Sequence, residues 1–170
     1  MRTILFPGFS PKNKAWAEEI QRGLLPTHPT TVIKWLHWET GAPRENWVEE
    51  EAQKLGGVIQ GEPFNIIAKS IGTVVSMLVL KANPKLINKI ILCGIPMRDL
   101  LEEDKRCYKA LIDFSPQKLL CVQNENDNHG SYEEIVLLLH SLNPDIKIVS
   151  KPRADHEYPY IELFLEFLNT

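Results

Sequence analysis

Ser70 stands between two stretches of different periodicity, and that placement is what could make its hydroxyl reactive. Phe64 to Ala68 is a short apolar run opening after Gly61 and Pro63, the pattern of a buried parallel strand. Ile71 to Lys81 reads as an apolar helix. A serine at a tight strand-to-helix turn has its hydroxyl thrust out of the sheet. The helix that follows aims free N–H groups and a positive dipole end at whatever binds there. Such a turn suits a nucleophile. Two other readings compete: Ser is a favoured N-cap residue, and Ala68-Lys69-Ser70 imitates the tail of a phosphate loop. The phosphate loop fails on chemistry, because its two glycines would fall on Pro63, which has no N–H, and on Ala68.

The pentapeptide Ala68-Lys69-Ser70-Ile71-Gly72 resembles the G-x-S-x-G elbow of the α/β-hydrolases, with Ala in place of the first Gly. The strained turn presses the positions two before and two after the serine against neighbouring backbone, and Ala and Gly are both small enough. The resemblance implies an acid and a base further along, in the order Ser, then Asp or Glu, then His, each on a loop beyond the carboxyl end of a strand. After the run Leu119 to Val122 come Gln123-Asn124-Glu125-Asn126-Asp127, where the family carries a G-x-x-D-like turn. Asp127 is the implied acid and Glu125 its rival. Asn124 takes the place of the family glycine, as a residue that tolerates left-handed backbone.

Ser150 to His156 follows the last apolar run, and His156, in an Ala-Asp-His setting like the family's, is the implied base. The other four histidines fit less well: His28 lies in a proline-flanked loop, His37 on an early strand and His140 on a helix, and His129 precedes the last strand. No pair of them has metal-ligand spacing. The family's H-G-x loop corresponds to Pro7-Gly8-Phe9, so the amides of Phe9 and Ile71 are the implied oxyanion donors. Pro7 replaces the usual His without removing either donor.

These residues need elements to hold them. At 170 residues with 44% hydrophobic content, the chain is expected to form a single domain over residues 1–170 with a full core. Strands are predicted at Thr3–Phe6, Thr31–Trp38, Phe64–Ala68, Leu86–Cys93, Lys118–Val122 and Lys147–Val149. Helices are predicted at about Lys14–Leu25, Arg44–Leu55, Ile71–Lys81, Tyr132–Leu142 and Tyr158–Leu168, with one or two more within Met97–Ser115. The alternation predicts an α/β fold of three layers, a doubly wound, mainly parallel six-stranded sheet covered on both faces. In family terms this is a minimal α/β-hydrolase core lacking the first two strands. Thr31–Trp38 then becomes an edge. Ile33, Trp35 and His37 share one of its faces and Val32, Leu36 and Trp38 the other. The two tryptophans either pack under local helices, the favoured reading, or form a dimer contact, so the expected state is monomer or homodimer.

A net charge of -3 with scattered lysines provides no field for nucleic acid. The first apolar run is too short for a signal peptide or membrane span, which leads to the expectation of a cytoplasmic protein without membrane partners. Three cysteines with no C-x-x-C pair predict reduced, buried thiols rather than a disulfide framework or zinc site. The family inserts its lids after the fourth of these strands, where only Met97–Ser115 is available, so the cleft should be open and suited to small or extended acyl substrates. Lys69 beside the nucleophile and Arg98 and Arg153 near the predicted mouth either favour an anionic substrate or are simply solubilising surface charge. The expectation is a serine esterase or thioesterase needing neither cofactor nor metal. The alternative is a hydrolase-fold binding protein that keeps the constellation without turnover.

Overall fold

β-Branched and aliphatic runs bounded by Gly, Pro and Asn become strands, and the amphipathic segments between them become the helices that cover the sheet. The computed structural model describes residues 1–55, 59 and 61–170. Its strands are β1 (Arg2–Phe6), β2 (Thr30–Val32), β3 (Phe64–Lys69), β4 (Ile87–Cys93), β5 (Leu119–Asn124) and β6 (Lys147–Lys151). They form one sheet in the order β2-β1-β3-β4-β5-β6, with every neighbouring pair parallel. The helices are α1 (Asn13–Leu24), α2 (His37–Thr40), α3 (Trp47–Lys54), α4 (Gly72–Ala82), α5 (Glu102–Cys107), α6 (Tyr132–Leu142) and α7 (Ile161–Asn169).

Side chains alternate across the central strands and so divide the core in two. Ile4, Ile66, Ala68, Ile90, Leu92 and Cys121 meet α4 and α6 through residues such as Val74, Met77, Ile135 and Leu139. On the other face Leu5, Ile67, Ile91, Leu120 and Val122 meet α1 and α7 through Trp16, Ile20, Phe164 and Leu168. The expected three-layer, doubly wound parallel sheet is what the chain forms.

The edge strand differs from expectation. Instead of running from Thr31 to Trp38, β2 stops at Val32, and His37 opens the short helix α2. Trp35 is fully buried, and its indole N–H donates to the carbonyl oxygens of Pro7 (3.2 Å) and Gly8 (3.1 Å). A large side chain with its own polar anchor pulls the backbone off the sheet edge. The alternation survives without the strand. Ile33, Trp35 and His37 are buried, while on the other side Val32 and Trp38 are half-buried against the core and Leu36 is 41% exposed. Trp35 also meets Trp47 of α3 edge-on at 5.6 Å, as the packing reading expects. The segment Met97–Ser115 forms α5 and a 3-10 turn at Tyr108–Leu111, with no larger insertion over the sheet. Cys93 and Cys121 are buried and Cys107 half-buried, all as free thiols. Among the described residues, no helix is long and apolar enough to cross a membrane.

Candidate active site

β3 ends at Lys69 and α4 begins at Gly72, which leaves a two-residue turn. Ser70 takes φ = +56° there, the one positive value at a non-glycine among the described residues. Left-handed backbone costs an L-residue about 1–2 kcal/mol, so a serine held there is held by its surroundings. The Ser70 N–H donates to the Cys93 carbonyl (3.0 Å), which pins the turn to the end of β4. Its own carbonyl accepts from the Thr73 N–H (2.9 Å) and the Thr73 hydroxyl (2.6 Å). Ala68 is fully buried in the sheet.

Asp127 lies three residues beyond β5 and is fully buried. A buried carboxylate must be hydrogen-bonded, and this one is on both oxygens. Oδ2 accepts from His156 Nδ1 (2.7 Å) and from the Tyr158 hydroxyl (2.5 Å), and Oδ1 accepts from the His129 N–H (2.8 Å). Burial pushes the carboxyl pKa up, but these three donors outweigh it and hold it below the usual carboxylate range. Burial, and then the bond to Asp127, push the Tyr158 phenol upward, so it remains a donor. With Asp127 ionised, His156 must donate from Nδ1, which leaves the lone pair of the neutral ring on Nε2. That nitrogen is buried and has no hydrogen-bond partner among the described residues.

Ser70, Ile71, Phe9 and His156 line one cleft of about 520 Å³, with Trp47, Leu100 and Pro96 among its apolar walls. The amides of Phe9 and Ile71 have no acceptor among the described residues. The Phe9 carbonyl is turned away, accepting from His37 Nε2 (2.8 Å) and the Trp38 indole (2.7 Å), and its ring stacks on His37 at 4.6 Å. Among the described residues no hydrogen bond joins Ser70 Oγ to His156 Nε2, and no group of three or more His, Cys, Asp and Glu side chains could hold a metal ion.

The structure therefore places Ser70, His156, Phe9 and Ile71 around one cleft, with Asp127 behind the histidine. Glu125 is elsewhere, accepting from the Ser150 hydroxyl. The anionic-substrate suggestion loses its basis, because each cation already has a carboxylate: Lys69 has Glu157 (3.3 Å), Arg98 has Glu134 (2.9 Å) and Arg153 has Asp155 (2.6 Å). Asn124 is corrected too. It is the last residue of β5, without a left-handed backbone, and its side-chain amide donates to the carbonyls of Asp155 (2.8 Å) and Glu157 (3.0 Å). It brackets the histidine loop. Tyr158 has no counterpart in the sequence reading, and neither does the packing of the His129 ring 4.4 Å from that of His156 while its Nδ1 pairs with Asp99 (2.5 Å). The one available signal was the nearness of His129 to Asp127 in sequence.

No family model matches the chain, and no curated protein matches it in sequence. Solved structures do match in fold. The 2-hydroxy-6-oxo-6-phenylhexa-2,4-dienoate hydrolase of Rhodococcus sp. strain RHA1 aligns over 99% of this chain and 90% of its own, with TM-score 0.74 at 13% identity. Naproxen esterase (carboxylesterase NP) of Bacillus subtilis aligns over 99% and 83%, with TM-score 0.72 at 14% identity. Alpha/beta hydrolase domain-containing protein 10 from mouse aligns over 98% and 87%, with TM-score 0.69 at 12% identity.

Proposed function

From a chain with the α/β-hydrolase fold, we propose a serine hydrolase that cleaves a small ester or thioester through an acyl-enzyme. The observation that carries this reading is the orientation of His156: Nδ1 is committed to a buried, ionised Asp127, which leaves Nε2 unpartnered on a ring that lines the same cleft as Ser70. In this mechanism Ser70 Oγ attacks the carbonyl carbon while His156 Nε2 takes its proton, and Asp127 fixes the tautomer and stabilises the imidazolium. The carbonyl oxygen becomes an oxyanion held by the amides of Phe9 and Ile71, both without an acceptor among the described residues. His156 then returns the proton to the leaving alcohol or thiol, and water repeats the sequence on the acyl-serine. The apolar walls formed by Trp47, Leu100 and Pro96 suit an apolar acyl group.

A fluorophosphonate probe tests the reading, since it needs an activated serine and little else. Labelling of the wild type that disappears in Ser70→Ala supports it. The second reading, a binding protein with an idle constellation, draws on the absent Ser70–His156 hydrogen bond. It predicts a folded wild type that takes up no probe.

A further inference from the structure

We infer that Lys69 and Glu157 are positioning residues, their ion pair tying the residue before the nucleophile to the residue after the base and so fixing the place of His156 relative to Ser70. The inference rests on the serine-hydrolase reading. Strand alternation sends Lys69 to the α1 face of the sheet, opposite the Ala68 face. There only 2% of it is exposed, its ammonium lies 5.4 Å from the centre of the Trp16 ring, and Glu157 Oε2 is 3.3 Å away.

A buried ammonium is an expensive choice for a strand position that any aliphatic residue could fill, and stability does not account for it. Replacing a buried ion pair by apolar residues of similar volume is often neutral or stabilising. What the pair does supply is a cross-link. The other anchors of the histidine loop come from β5 and the turn after it, through Asn124 and Asp127, and from α1, through the Trp16 indole N–H on the Tyr158 carbonyl (2.9 Å). Among the described residues, Lys69 is the side chain that reaches this loop from the nucleophile's own strand. Glu157 also balances the ammonium's charge, so the tie adds no net repulsion against an imidazolium forming on His156.

The pair is asymmetric, since Glu157 is 62% exposed at its side chain and Lys69 is not. Lys69→Met leaves a hydrated carboxylate, whereas Glu157→Gln leaves a buried ammonium without its counter-charge. Steady-state kinetics on p-nitrophenyl acetate, with thermal melts, reads the difference. Each variant should lower kcat about tenfold with KM within about twofold, as loss of alignment does, and the double variant should be no worse than the worse single. Lys69→Met should melt no lower than wild type, and Glu157→Gln should melt lower. Unchanged kcat in Lys69→Met overturns the inference. So does a raised KM confined to carboxylate-bearing esters, which would make Lys69 an anion subsite. Failure of the hydrolase reading has a separate signature, a wild type that takes up no fluorophosphonate. Amide hydrogen exchange at Asp155 to Tyr158 then still decides the tie: faster exchange in Lys69→Met supports it, and unaltered exchange overturns it.

Discussion

The backbone of Gly72 passes so close to the end of β1 that a Cβ there would stand 2.3 Å from the Phe6 carbonyl oxygen. This approach carries α4 directly over β1 and sets the Ile71 amide beside the Pro7-Gly8-Phe9 loop. Gly72→Ala should therefore displace rigid backbone rather than a yielding side chain, at a cost of about 3 kcal/mol, and should lower activity with it. Gly41 is the control. Its φ is +83°, but nothing lies within 4 Å of a Cβ, so Gly41→Ala should cost only about 1 kcal/mol, the left-handed penalty alone. Urea titrations of the two variants check the ranking.

Ser70 offers the opposite experiment. Its φ of +56° is strained for serine and free for glycine. Ser70→Gly should abolish phosphonate labelling while raising stability by about 1 kcal/mol, and Ser70→Ala should abolish labelling without that gain. Equal stability of the two variants would mean that the turn stores no strain.

Asp127 gives the acid limb of stability a definite sign. Its pKa is raised by burial but lowered further by His156, Tyr158 and the His129 amide, for a net depression in the folded state. The stabilisation it contributes is fully present above the unfolded carboxylate value of about 3.9. It is lost as pH falls through the lower folded value. Tyr158→Phe removes one of the lowering donors and the acceptor of the Asn124 N–H (3.2 Å). That variant raises the folded carboxyl toward its unfolded value, so it should cost about 1–2 kcal/mol at neutral pH and lose less further stability than wild type as pH falls below about 3.9. Denaturant midpoints measured from pH 7 downward test both statements.

What the sequence made legible follows from range. Ser70 could be read because an elbow is local: two small residues, a strand before and a helix after lie within one stretch of chain. Asp127 and His156 could be read as positions because strand ends can be counted. Their partners could not. Tyr158 and Asn124 act across loops about thirty residues apart, whose meeting depends on β5 lying beside β6 in a particular register. Lys69 looked like surface charge because alternation gives the face of a strand but not the helix that covers it. Trp35 misled for a related reason, since an alternating pattern of buried side chains does not need a strand to carry it.

The thiols should report the packing directly. Burial pushes Cys93 up to about 12, with nearby Lys69 opposing it weakly, and Cys121 is pushed up by burial as well. Neither is available as thiolate near neutral pH. Native protein should react with a disulfide reagent at Cys107 alone, slowly, and denatured protein at all three cysteines. Fast reaction at Cys93 in the native state would show that the β4 end beneath the elbow opens.

The assignment of the acid can be separated from its rival Glu125 by one pair of variants. Asp127→Asn keeps the size of the side chain but substitutes an amide that can donate to His156 Nδ1, so the ring turns its N–H toward Nε2 and can no longer accept the Ser70 proton. The chemistry predicts a fall in kcat for p-nitrophenyl acetate of about ten-thousand-fold with KM little changed. Glu125, bonded to the Ser150 hydroxyl and exposed, has no route to the ring, so Glu125→Gln should keep kcat within about twofold. If Glu125→Gln were the slow variant, Asp127 would be a structural carboxylate and the orientation of His156 would need another cause.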